Sequence, residues 1–104
     1  MSETLTATLP ITRWQGDRAT YHLVTFSDAD AEALAAQAVM ERLEFGRSRG
    51  FGSLKVTARI GDTEWRTSVI PQKKQSEWDL LLSRKVMRAE GLAVADLTTV
   101  QLML

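Results

Sequence analysis

Two runs of alternating apolar and polar residues face each other across Gly61-Asp62, and no other feature of this chain restricts its fold so strongly. A two-residue turn fixes the antiparallel register, because glycine accepts the positive φ that tight hairpins need and loop length decides which residues are opposed. Leu54 then pairs with Val69, Val56 with Thr67 and Ala58 with Trp65, all on one face. The other face receives Lys55, Thr57 and Arg59 from one strand and Glu64, Arg66 and Ser68 from the other, with Arg59 across from Glu64. A one-residue slip would turn every apolar side chain to water, so pattern and turn support the same register. The first set is expected in the core, with Lys55, Arg59 and Arg66 outside.

Leu5, Ala7, Leu9 and Ile11 alternate with Thr6, Thr8, Pro10 and Thr12, the period of a half-buried strand. Pro10 has no N–H to donate and therefore marks an edge or a bulge. Gln15-Gly16-Asp17 should turn the chain into a second strand, Tyr21 to Phe26. Ser27 with Asp30 forms a Ser-x-x-Asp variant of the capping box, and Asp28, Asp30 and Glu32 suit the positive end of the helix that follows. That helix is expected to reach about Leu43 and to pack through Leu34, Ala38, Val39 and their neighbours. After Pro71 a polar loop should lead to a strand over Trp78–Leu82, then a helix from Ser83 to about Glu90 ended by Gly91, and a last strand from Leu97 to Leu104. About six strands and two helices predict a mainly β fold, a small closed or partly open barrel. With 104 residues and 44% hydrophobic content the chain supports one core, so residues 1–104 are read as a single domain.

Several chemistries are excluded or lack a signal. The chain has no cysteine, hence no disulfide, thiol nucleophile or cysteine-ligated metal. His22 is the single histidine and lies mid-strand, where a structural or surface role is the commoner one. Glu41 and Glu44 share a helix end with Arg42, and their spacing alone does not make a catalytic carboxylate pair. Gly50-Phe51-Gly52 is followed by a strand and lacks the residues of a P-loop or Rossmann loop, so it turns the chain and binds no nucleotide. No cofactor or metal site is expected, and an enzyme is left open only through a lone His or Lys activated by burial. The start Met1-Ser2-Glu3-Thr4-Leu5 has neither the basic residues nor the apolar run of a secretory signal, and no apolar stretch is long enough to cross a bilayer, so the expected address is the cytoplasm, away from membranes.

Charge supplies the one functional hint. From Arg47 to Lys74 there are seven basic and two acidic residues, inside a chain of zero formal net charge. Such a block is either a solvated face balanced by the acidic first helix or a surface for anions. The binding reading names Arg47, Arg49, Phe51, Arg66, Lys73, Lys74, Trp78 and Lys85 as the residues of an anion or ligand site between the 47–52 loop and the 71–85 segment. Lys85 enters because Ser83-Arg84-Lys85 starts a helix with cations where the dipole prefers acids, a conflict that either a bound anion or pairing with Glu77 or Asp79 would resolve. Of Trp14, Trp65 and Trp78, most are expected in the core, with Trp78 and Phe51 the better candidates to line a cavity because they flank irregular segments.

Three blocks carry a family resemblance: Arg47-Ser48-Arg49-Gly50-Phe51-Gly52-Ser53-Leu54-Lys55-Val56, Trp65-Arg66-Thr67-Ser68-Val69-Ile70-Pro71-Gln72-Lys73-Lys74, and Lys85-Val86-Met87-Arg88-Ala89-Glu90-Gly91-Leu92. Together they resemble an uncharacterised bacterial domain-of-unknown-function family, and the likeness spans nearly the whole chain. It implies a double-split β-barrel and no particular activity. The last third is also similar to half of an AbrB-type swapped-hairpin domain: a strand, a short basic helix, Gly-Leu, an acidic turn and a final strand. AbrB-type domains dimerise and bind DNA, whereas the resembled family places both halves in one chain, which implies a monomer or a weak homodimer. The family usually has glycine where Ala95 stands before Asp96, and a positive φ there would strain alanine by about 1 kcal/mol. The expected function is a small binding domain, for an anionic or aromatic small ligand or a protein partner, without evident catalysis. The alternative is an AbrB-like DNA-binding module using the Arg47 to Lys74 surface, which zero net charge and a pI near 6.6 disfavour.

Overall fold

Leu54 pairs with Val69, Val56 with Thr67, Ala58 with Trp65 and Arg59 with Glu64, the register that the Gly61-Asp62 turn dictates. Gly61 has φ 57 while Asp62 stays at negative φ, as in a type II′ turn. Leu54, Val56, Ala58 and Val69 are buried and Trp65 and Thr67 half-buried, whereas Lys55, Arg59 and Arg66 are exposed. The hairpin belongs to a computed structural model that describes residues 3–45 and 52–104. Its strands are β1 (Thr4–Pro10), β2 (Thr12–Gln15), β3 (Thr20–Ser27), β4 (Leu54–Ile60), β5 (Thr63–Gln72), β6 (Glu77–Leu82) and β7 (Leu97–Met103), with helices α1 (Asp28–Phe45) and α2 (Arg84–Ala89). The fold is mainly β, 52% strand, and the strands form one curled antiparallel half-barrel sheet in the order β1-β7-β4-β5-β6-β3-β2.

Seven strands replace the expected six because the N-terminal run is divided. β1 pairs with β7 at one edge of the sheet and β2 pairs with β3 at the other, with Ile11 alone between them. Two local facts explain the switch. Pro10 cannot donate to a ladder, and both backbone groups of Ile11 are taken by the turn before β7: Ile11 N donates to Asp96 O (2.9 Å) and Ala95 N donates to Ile11 O (2.8 Å). The Ile11 side chain is 1% exposed, so the residue that joins the two edges also anchors in the core.

That turn, Ala93 to Asp96, closes through Asp96 N to Ala93 O, and the Asp96 carboxylate accepts from Ala93 N. Ala95 has φ 76 in the position where a type II turn favours glycine, so the strain foreseen for alanine is present. Ala95→Gly is expected to raise stability by about 1 kcal/mol, seen as a higher urea midpoint at unchanged slope.

α1 begins at Asp28, whose φ of 52 makes the strand-to-helix corner, so a left-handed aspartate stands where a Ser27 cap was expected. Ala31 and Leu34 are buried and Ala35 and Ala38 pack against them. Val39, expected in the interface, is exposed together with Met40 and Leu43, outside the core-facing stripe of Ala31, Leu34, Ala35 and Ala38. α2 is capped by Ser83, whose Oγ accepts from Val86 N, and ends in a Schellman motif with Leu92 N on Met87 O, Gly91 N on Arg88 O and φ 62 at Gly91. β5 runs to Gln72, one residue beyond Pro71, after which the loop had been expected. Its ladder with β4 stops at Val69, so on that side Pro71 is already at an edge and its missing N–H leaves no bond unmade. Among the described residues no helix is long and apolar enough to cross a membrane.

Candidate functional site

Alternation along β2, β3, β5 and β6 sends Val24, Phe26, Trp78, Leu80 and Leu82 inward and turns a second set of large side chains to the outer face of the sheet. Trp14 stands opposite Tyr21, Thr12 opposite Leu23, Leu23 opposite Leu81 and Thr25 opposite Asp79. Ile70 pairs with Asp79, and Gln72 with Glu77. An open groove of about 760 Å³ runs over this face, lined by Trp14, Tyr21, Leu23, Ile70 and Leu81 with Thr12, Arg13, Gln72, Lys73, Glu77 and Asp79. Its floor is aliphatic and one end aromatic. The rings of Trp14 and Tyr21 stack with centroids 5.5 Å apart and a 30° tilt, and Trp14 remains 58% exposed. The indole lies over Gly16, where a Cβ would come within 2.9 Å of it, so the close approach of the ring explains that glycine.

The opposite end is built by an unusual turn. Lys73, Lys74 and Gln75 have φ 48, 56 and 72, three successive non-glycine residues in the left-handed region. Each such residue costs on the order of 1–2 kcal/mol, so neighbouring groups must hold the turn. Ser76 Oγ donates to Lys73 O (2.8 Å), the indole N–H of Trp78 donates to Gln75 O (3.2 Å), and Lys73 Nζ lies 3.4 Å from Glu77 Oε1.

The residues singled out from sequence do not gather here as a group. Arg47, Arg49 and Phe51 lie outside the described residues. Lys73 lines the groove, paired with Glu77. Lys74 and Lys85 are exposed, the latter on α2, and neither lines the groove. Arg66 is exposed on the outer face of β5, opposite Thr57 and four residues, about 13 Å, from Ile70. Trp78 corrects the expectation outright: it is fully buried, because on β6 it shares the inward phase of Leu80 and Leu82 and sits across from Phe26. Trp14, read with the core, is the exposed indole at the groove. Among the described residues no cluster of acidic or histidine side chains could hold a metal ion. His22 is half-buried across from Leu82.

Residues 8–102 match the family described as Domain of unknown function (DUF1905). The chain belongs to that family. No curated protein and no solved structure matches this DUF1905 domain. Function therefore has to be argued from the groove itself.

Proposed function

We propose that this domain binds an aromatic small molecule in the groove over β2, β3 and β6 and carries out no covalent chemistry on it. The observation that carries the reading is the exposed Trp14–Tyr21 stack at the head of an aliphatic floor. Apolar surface held in water is unfavourable by roughly 25 cal/mol per Å², and a ring sliding onto the indole and over Leu23 and Leu81 recovers it. Thr12, Gln72 and the charged rim would orient polar substituents.

A thermal-shift screen with phenyl and indole compounds tests this. A ligand at a hundred times its Kd stabilises by about 2.7 kcal/mol, a rise on the order of 10–20 °C for a domain this size. Trp14→Ala should leave the unliganded melting point nearly unchanged, since surface substitutions stay within about 0.5 kcal/mol, and should abolish the ligand shift. A shift that persists in Trp14→Ala would place binding elsewhere.

The finer fold reading is a double-split barrel of the bacterial family resembled, supported by the order β6, basic α2, Gly91-Leu92, acidic turn and β7. The same order supports an AbrB-like relationship and with it a DNA-binding alternative. The observation in its favour is the outward row Lys55, Arg59 and Arg66, interrupted by Glu64. Binding of a labelled duplex that falls steeply with salt would favour this alternative, and no binding at low salt would remove it.

A further inference from the structure

We infer that the ligand of the groove is an organic cation: an aromatic ring joined through an apolar spacer to an ammonium group, recognised by Asp79. The inference rests on the reading of the groove as an aromatic-ligand site and adds the sign of the charge and the shape of the molecule.

Asp79, half-buried like Glu77, lies on β6 between Thr25 and Ile70. Thr25 Oγ1 donates to its Oδ1 at 2.8 Å and fixes the carboxylate. A carboxylate accepts about four hydrogen bonds, and among the described residues no other side-chain hydrogen bond or ion pair reaches Asp79. The nearby cation, Lys73, lies 3.4 Å from Glu77 rather than Asp79, in a partly exposed pair. Arg13, the other cation of the lining, is across from His22 on the edge strand, while Asp79 is across from Thr25 one strand further in. Asp79 is thus offset by three residues, about 10 Å, from Arg13 along the sheet, and Glu77, across from Ser27, by five. A carboxylate ligand entering here would meet Asp79 and Glu77 with Lys73 already paired. A cation meets an oriented acid.

Spacing sets the rest of the molecule. Tyr21 and Thr25 are four residues apart on β3, about 13 Å, with Leu23 and Leu81 between them. The ligand therefore carries its ring over Trp14 and Tyr21, an aliphatic segment over the two leucines, and its charge at Asp79.

The probes are 6-phenylhexylamine and 6-phenylhexanoate, with like ring and spacer and opposite charge, titrated calorimetrically into the wild type, Asp79→Asn and Trp14→Ala. Asparagine keeps an oxygen to accept from Thr25, so the fold is retained, and urea unfolding of each variant verifies it. The expected result is that the amine binds at least tenfold tighter than the acid. Asp79→Asn should erase that preference while the phenyl group still binds, and Trp14→Ala should weaken both probes. Equal or tighter binding of the acid, or a preference for the amine that survives Asp79→Asn, overturns the inference and leaves the aromatic reading standing. Failure of both probes to bind overturns the aromatic reading with it.

Discussion

Trp78→Ala is expected to destabilise the domain by about 3–5 kcal/mol, as removal of a large buried aromatic does, against a total of about 5–15 kcal/mol for ordinary domains. Two losses combine. The indole is fully enclosed, across from Phe26 and Pro71, and its N–H is what ties Gln75 O and holds the left-handed turn. Trp78→Phe keeps most of the apolar volume and loses the hydrogen bond, leaving a small cavity, so its expected loss is on the order of 1–2 kcal/mol. Urea unfolding of the two variants beside Trp14→Ala gives the order Trp78→Ala, Trp78→Phe, Trp14→Ala from largest loss to smallest. If Trp14→Ala proved the most damaging of the three, the two indoles would have been assigned to the wrong sides of the sheet.

Ile11→Ala is expected to lose about 2–4 kcal/mol, a cost typical of emptying a buried isoleucine site. Its position makes the effect diagnostic beyond its size. The side chain is 1% exposed, and its backbone joins the two edges of the sheet while both its polar groups are held by the Ala93–Asp96 turn. Loosening that point should let β1 and β2 open together, although they belong to opposite edges. Amide hydrogen exchange reads this directly, since parts of a fold that open as one unit lose protection by a common free energy. Protection lost in β1 and β2 alike is the expected pattern. Loss confined to β1 would mean that Ile11 packs but does not join the edges.

The parts of the fold visible in the sequence were those written in local terms. The Gly61-Asp62 turn and its flanking alternation determine a register by themselves, and the helix start near Ser83 and stop at Gly91 are short-range signals. The strain at Ala95 was legible through the family resemblance, since the resembled family usually has glycine at that position. Non-local choices were not. Pro10 flags an edge or a bulge but does not say which strands the chain will pair with on either side of it, since that rests on hydrogen bonds to a turn more than eighty residues later. The same limitation hid the groove. Trp14 and Trp78 are alike as residues beside turns, and only the phase of β2 and β6 in the assembled sheet sends one outward and the other in. Nearness along the chain does not fix where the basic block ends up: Lys73 lines the groove, Arg66 stands on the outer face of β5 and Lys85 on α2. A left-handed run at Lys73-Lys74-Gln75 has no sequence signal, because neither lysine nor glutamine favours positive φ.

The central claim, that the outer sheet face at Trp14 receives an aromatic ligand, is tested most directly by fluorine NMR of protein labelled with 5-fluorotryptophan. Three resonances are expected from Trp14, Trp65 and Trp78, assigned by single Trp→Phe replacements. The uncharged probe 6-phenylhexan-1-ol keeps the test independent of any charge preference. On titration the Trp14 resonance should shift progressively to saturation, while Trp78, sealed in the core, and Trp65, on the inner face of β5, stay where they are. A saturating probe that leaves Trp14 unmoved, or that moves Trp78 or Trp65 instead, would contradict the account.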